Sequence, residues 1–275
     1  MKTRYRKILV AAALTALALT AIFATAANAA TPPAPYQDFA GCTSQKEDET
    51  VAQCIKYVFE SGHLKLGSKS IQVTNPIVLR GAYQQSTGNF LFNSEGGIVP
   101  VRQAVTGGLI GVTGLSWLDE AVENSSALKL YASVELAGNP GSVFEPNLAL
   151  PIKVHLENPL LGSSCYIGSN SDPISLDLTT GTTAPPAPNS PITGKSTGEL
   201  EAESGREVLT AKGGTHVDNA FAVPGANGCQ LTVGGFHISL DNLVDASMGL
   251  PSAAGHSEAV LNYSFSVASP EVVYP

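Results

Sequence analysis

The stretch LALPIKVHLENPLLGSSCYIGSNSDPISLDLTTGTTAPPAPNSPITG, residues 148–194, decides the fold. Leu150, Ile152, Val154 and Leu156 fall on one side of an extended chain and Lys153, His155 and Glu157 on the other, as a half-buried strand requires. Asn158-Pro159 ends that strand. Cys165 and Tyr166 lie in a short apolar run, and after Asp172-Pro173 a second alternation sets Ile174, Leu176 and Leu178 against Ser175, Asp177 and Thr179. From Ala184 to Pro191 the prolines lack amide donors and favour extended, polyproline-like geometry. This piece is expected to cross the surface instead of joining a central strand.

The same alternation recurs on both sides. Upstream, Ile71 and Val73 alternate with polar neighbours, Asn75-Pro76 interrupts, and Ile77 and Leu79 resume; this gives two strands or one bent edge strand, with Phe90 and Phe92 continuing the pattern. Leu128, Leu130, Ala132, Val134 and Leu136 alternate with Lys129, Tyr131, Ser133 and Glu135 in a long strand ending at Gly138-Asn139-Pro140. Before it, a Gly-rich run over 107–114 leads to Leu115, Leu118 and Val122, whose spacing suits one or two helical turns begun at Ser116; Trp117 is read there as core packing. Downstream, Glu199, Glu201 and Glu203 share a solvated strand face, spaced about 7 Å apart and so not convergent as calcium requires. Asp241 as a cap, Leu240, Leu243, Val244 and Met248 at helical spacing, and Gly249 and Pro251 as stops predict a short helix. Leu261, Tyr263, Phe265 and Val267 predict the last strand. A Gly-Gly pair, a short helix and a strand follow one another near both 107 and 234, but at unequal spacings that make only a faint internal similarity. With 27 Gly and 18 Pro in 275 residues, turns are frequent. The fold class expected is all-β, an antiparallel two-sheet sandwich with one or two short helices in its connections.

Residues 1–30 carry Lys2, Arg4, Arg6 and Lys7, then an apolar run, then Ala27-Asn28-Ala29-Ala30, the form of a cleaved secretory signal. The mature chain is then a single domain, 31–275, opening on the stiff spacer Thr31-Pro32-Pro33-Ala34-Pro35. The full chain has a formal charge of −8, from 15 Lys plus Arg and 23 Asp plus Glu; losing four bases with the signal leaves 11 against 23, or −12. Such a surface repels nucleic acid and anionic lipid, so neither is an expected partner, and no later segment is apolar enough to span a bilayer. Localisation outside the cell, free or on the cell wall, follows.

Four cysteines in an exported chain argue for two disulfides. Three connectivities are open. Cys42 with Cys54 and Cys165 with Cys229 is favoured, because the first pair closes a small local loop and the second joins two segments with Gly-rich turns beside the cysteine. Zinc is a poor reading, since no Cys-x-x-Cys pair occurs. The charged run Lys46-Glu47-Asp48-Glu49 reads as an exposed loop or short helix.

Motifs with chemistry in them fail their context. Gly194-Lys195-Ser196 lacks the glycine, the preceding strand and the following helix of a phosphate-binding loop. His155-Leu156-Glu157 has the His-x-Glu form of zinc deaminases without the paired cysteines, and on a strand its two polar residues simply face one way. Gly255-His256-Ser257-Glu258-Ala259 resembles a nucleophile elbow but has a helix before it and a strand after it, the reverse of what an elbow needs. The five histidines, His63, His155, His216, His237 and His256, show no metalloprotease spacing. No catalytic residue, metal or cofactor is assigned.

Four segments, LPIKVHLENPLLGSSCYIG (150–168), LTTGTTAPPAPN (178–189), FAVPGANGC (221–229) and GLPSAAG (249–255), resemble exported actinobacterial proteins of unknown function. The resemblance implies export and a Cys165 to Cys229 bridge, and brings no activity. The function expected is therefore that of an exported, non-enzymatic protein binding a cell-envelope polymer or an extracellular protein. The alternative is a secreted hydrolase whose acids and bases meet only in the fold.

Overall fold

Val51–Leu66 forms the longest strand, β1, at 16 residues, and the other elements are laid on either side of it. In this computed structural model residues 31–43, 50–106, 108, 129–141, 143–144 and 146–275 are described. The expected signal (1–30), the run 46–49 and the expected helix from Ser116 with Trp117 lie outside them. Along the chain follow β2 (Lys69–Val73), β3 (Ile77–Gln84), β4 (Asn89–Leu91), β5 (Gly97–Val99), β6 (Gln103–Ala104), β7 (Tyr131–Leu136), β8 (Asn147–Glu157), β9 (Tyr166–Ile167) and β10 (Ile174–Thr179). Then come β11 (Glu201–Ala202), β12 (Val208–Asp218), β13 (Ala226–Asn227), β14 (Gln230–Val233), β15 (Phe236–Ser239), α1 (Asp241–Met248), β16 (Glu258–Ala268) and α2 (Pro270–Val273).

The fold is all-β and antiparallel, a sandwich-like arrangement with two short helices among the described residues. One layer contains β12, β16, β1 and β3, and the other β7, β8 and β10. Hydrogen bonding joins the layers at both edges. At one edge β10 meets β12 through Thr179 and Val217; at the other, Ile71 of β2 bridges Val105, just beyond β6, and the Thr106 N–H donates to the Ser70 carbonyl at 2.9 Å. The ladder path thus closes on itself, which removes free edges from the body of the sheet. Phe59, Leu64, Ile71, Val134, Leu150, Ile152, Leu176 and Leu261 meet inside it, around a wholly apolar cavity of about 30 Å³.

The burial of β8 follows its alternation, with Leu148, Leu150, Ile152, Val154 and Leu156 all buried, and β10 buries Ile174, Leu176 and Leu178 in the same way. β1 is not legible by alternation alone. Ile55, Tyr57 and Phe59 point inward at odd positions, but Leu64 and Leu66 do so at even ones, because a bulge between Phe59 and Ser61 inserts one residue against β16. Gly62 serves that bulge at φ 130°, where a Cβ would lie 2.0 Å from the Val260 carbonyl oxygen. β12 carries a similar shift between Ala211 and Gly214, and the Tyr263 ring lies across Gly214 in the space a side chain would fill.

One open expectation is resolved and two change in detail. Asn75-Pro76 separates two strands, and the buried Gln103 side chain bonds the break, accepting from the Thr74 and Asn75 amides at 3.0 and 3.1 Å and donating to the Asn75 carbonyl at 2.7 Å. The Glu199 to Glu203 strand shrinks to Glu201–Ala202, since Glu203 turns to Arg206 at 3.3 Å and accepts from the Thr210 hydroxyl at 2.6 Å. Asp241 is the first helical residue of α1 and not its cap, which is Leu240; its carboxylate instead accepts from the Cys229 amide at 2.7 Å. The Pro-rich crossing does run over the surface, but it is tied down. Asn189 donates to the carbonyls of Asn219 and Ser257, both at 2.9 Å, while buried Asn219 accepts from Thr183 and donates to the Ser190 carbonyl.

The structure pairs Cys42 with Cys54 and Cys165 with Cys229. The first bridge belongs to a second apolar cluster, Phe39, Val51, Ala82, Val208, Ala268 and Val273, that holds the segment around Phe39 against the one around Val273. At its rim Asp38 accepts from Arg206 at 2.6 Å and pairs with Lys56.

Two carboxyls titrate in opposite senses. Burial alone would raise Asp38, but hydrogen bonds from Arg206 and Lys56, with their charges, outweigh it and hold the carboxyl below its ordinary value. Burial pushes Asp218 up, more than the Ala220 and Asp177 amides pull it down. The Asp38 contribution is therefore complete above the ordinary Asp range and lost as pH falls through the lowered pKa, whereas that of Asp218 is complete below the ordinary range and lost as pH rises through the raised one. Urea midpoints measured across the acid range should show Asp38→Asn flattening the low-pH loss and Asp218→Asn flattening the loss on the rising side.

Candidate polar and aromatic groove

The outer face of β7, β8 and β9 carries a set of charged, polar and aromatic side chains, and strand register places it. Tyr131 stands opposite Glu157, Ser133 opposite His155, Glu135 opposite Lys153, and His155 in turn opposite Tyr166. These are the positions that the alternation leaves outside once the leucines and valines have gone in. Arg102, from the link between β5 and β6, is added because Gln103 and Ala104 pair with Ala132 and Tyr131.

The contacts are specific. The Arg102 Nε lies 2.8 Å from Glu157 Oε2, and its guanidinium sits 4.4 Å above the Tyr131 ring. The other Glu157 oxygen accepts from the Ser133 hydroxyl at 2.5 Å. His155 stacks on Tyr166 with ring centroids 4.6 Å apart, and the Lys153 ammonium lies 5.0 Å from the same ring. Lys153 also faces Glu135 at 3.5 Å. Burial, and then the charge and hydrogen bond of Glu135, push the Tyr166 phenol up, so it stays a neutral donor through the physiological range. The His155 Nε2 is buried without a hydrogen-bond partner among the described residues.

Arg102, Lys129, Tyr131, His155, Glu157 and Asn158 line a groove of about 340 Å³, closed at one end by the turn through Pro159, Gly162 and Ser163. That turn is held by Asn158, whose Oδ1 accepts from the Leu160 amide at 2.8 Å and whose Nδ2 donates to the Lys129 carbonyl. Alternation puts Lys153, His155 and Glu157 on the outer side of β8, but that side is not open to solvent. All three are half-buried, because Tyr166 and Arg102 cover them. His155 and Glu157 point the same way without pairing; each takes a different partner.

The other motifs are absorbed structurally. Lys195 exchanges backbone bonds with Thr215 at 2.8 and 2.7 Å, as part of a bridge with no helix behind it. Ser257 is fully buried, its oxygen accepting from the Gly67 amide at 3.2 Å, and Glu258 pairs with His63 at 2.9 Å. His216, also fully buried, stacks on Tyr263 at 4.1 Å. Among the described residues no three His, Cys, Asp or Glu side chains converge as a metal site would need. Neither a family model nor a curated protein matches the chain.

The face and the core next to it should respond very differently to charge. Val154→Asp, at a fully buried position, should cost about 3–5 kcal/mol in denaturant melts with the disulfides intact. His155→Asp loses the Tyr166 stack and sets a carboxylate near Glu157 and Glu135, for about 1–2 kcal/mol, where an open surface site would show about 0.5 or less.

Proposed function

We propose that this is an exported, non-enzymatic protein whose groove beside β7 and β8 binds a polar polymer of the cell envelope. The observation that carries the reading is the Tyr131 ring, oriented by Arg102 and set among Lys129, Glu157 and Asn158. A flat ring beside fixed donors and acceptors suits a polymer whose units offer both an apolar face and hydroxyls. The groove's volume falls within the range of roughly 300–1,000 Å³ typical of ligand sites.

Export is supported by the N-terminal signal pattern, by the resemblance to exported actinobacterial proteins, and by two disulfides, which persist in oxidising compartments. Among the described residues no helix is long and apolar enough to cross a membrane. One observation favours the second reading, a secreted hydrolase: His155 and Glu157 line the same groove. Against it, both Glu157 oxygens are engaged by Arg102 and Ser133, which leaves the carboxylate poorly placed to take a proton.

Retention of the disulfide-intact protein on purified cell wall tests the proposal. Tyr131→Ala should reduce retention about tenfold, in line with the loss of one stacking contact, while Lys212→Ala, an exposed residue on β12, should leave it unchanged. Turnover of ester or glycoside substrates that His155→Ala abolishes would instead establish the hydrolase.

A further inference from the structure

We propose that the β14–β15 hairpin is an insertion tip for a neutral or zwitterionic lipid interface. The two strands form a sheet of their own, outside the closed ladder. Register sets Leu231 opposite Ile238 and Val233 opposite Phe236, so one face of the hairpin is wholly apolar; the other carries Gln230, Thr232, His237 and Ser239, with the Thr232 hydroxyl 3.0 Å from His237 Nδ1. The apolar face is open. Phe236 is 77% exposed, Val233 56% and Ile238 51%, the three largest exposures among the large apolar side chains described. The tip is a two-residue turn of Gly234 and Gly235, with φ of 57° and 85°, the left-handed pair that matches the twist of a hairpin. Nothing lies within 4 Å of where either Cβ would be, so the tip projects into free space.

The base of the hairpin is fixed. Cys229, next to β14, is bridged to Cys165, the Gln230 amide donates to the Leu161 carbonyl at 2.9 Å, and the Leu240 amide donates to the Cys229 carbonyl at 2.8 Å. A rigid mount holding a projecting apolar face differs from a loop that could fold its apolar side chains back.

Area and charge decide the occupant. Four side chains on a narrow projection fall well short of the roughly 800 Å² per partner that a stable protein complex buries, and two copies of a chain with net charge −8 repel. A lipid interface asks for no complementary shape, only an uncharged apolar tip with polar groups behind it. No Lys, Arg, Asp or Glu occurs from residue 230 to 240. The acidic body disfavours anionic headgroups, which selects neutral or zwitterionic ones. The inference is independent of what the groove binds.

Flotation of the disulfide-intact exported protein, freed of the apolar run in residues 1–30, with phosphatidylcholine vesicles tests it. The protein should co-float, Phe236→Asp should lower the bound fraction about tenfold or more, and Val233→Ser should lower it by less. Thr232→Ser, on the polar face, should leave it unchanged. Peptide mapping of both disulfides in each variant shows that the fold is kept. A protein that stays in the soluble fraction overturns the proposal, as does binding that requires phosphatidylglycerol. A sedimenting dimer that Phe236→Asp dissociates, without vesicle binding, would assign the face to a second copy.

Discussion

The antiparallel pairing of β1 with β16 is the constraint on which the rest of the structure depends. It runs from Cys54 opposite Ala268 to Lys65 opposite Glu258, and each of these strands also carries the next neighbour outward, β3 and β2 on β1 and β12 on β16. The bulge in the middle of β1 lets one strand serve two parts of the core in different phase. Before it, Tyr57 and Phe59 join Tyr263 and Phe265; after it, Leu64 and Leu66 turn inward beside Ile71. Without the extra residue one half of β1 would present its apolar side chains to water.

Several buried or half-buried polar side chains are consumed by connections. Gln103, Asn189 and Asn219 spend their hydrogen bonds on the backbone of turns that prolines have left short of ladder partners. Asp241 does the same for the Cys229 segment. On the outer face of β7 and β8, by contrast, side chains bond mainly to other side chains, and several flank open space. That difference separates a structural network from a surface able to meet a ligand.

How much of this was legible in the sequence depended on parity. β8, β10 and β16 alternate over many residues and could be read, as could α1 with its Gly249 stop. β1 and β12 could not, because register shifts change which residues point inward partway along each strand. The hairpin of β14 and β15 was hidden for another reason. Its apolar positions, Leu231, Val233, Phe236 and Ile238, alternate well enough, yet Gly234-Gly235 reads as a mere lead-in to the helix unless both flanks are taken as strands. In the groove, Lys153, His155 and Glu157 could be placed on one face from spacing alone. Nothing local announced Arg102, which reaches Glu157 only because β6 pairs with β7 and β7 with β8. A short piece of strand with two residues carries no period to detect.

The clasp between the Phe39 and Val273 segments bears on the order in which the molecule can be made. The partner of β1 in its central ladder lies some two hundred residues later, and Tyr274 donates its hydroxyl to the Cys42 carbonyl at 2.7 Å, across a separation of 232 residues. A chain made from its N-terminus cannot complete the closed sheet until β16 is present to lie between β1 and β12. Until then β1 has β2 and β3 along one edge and leaves the other bare, so closure of the sheet is a late event in whatever order the local hairpins form.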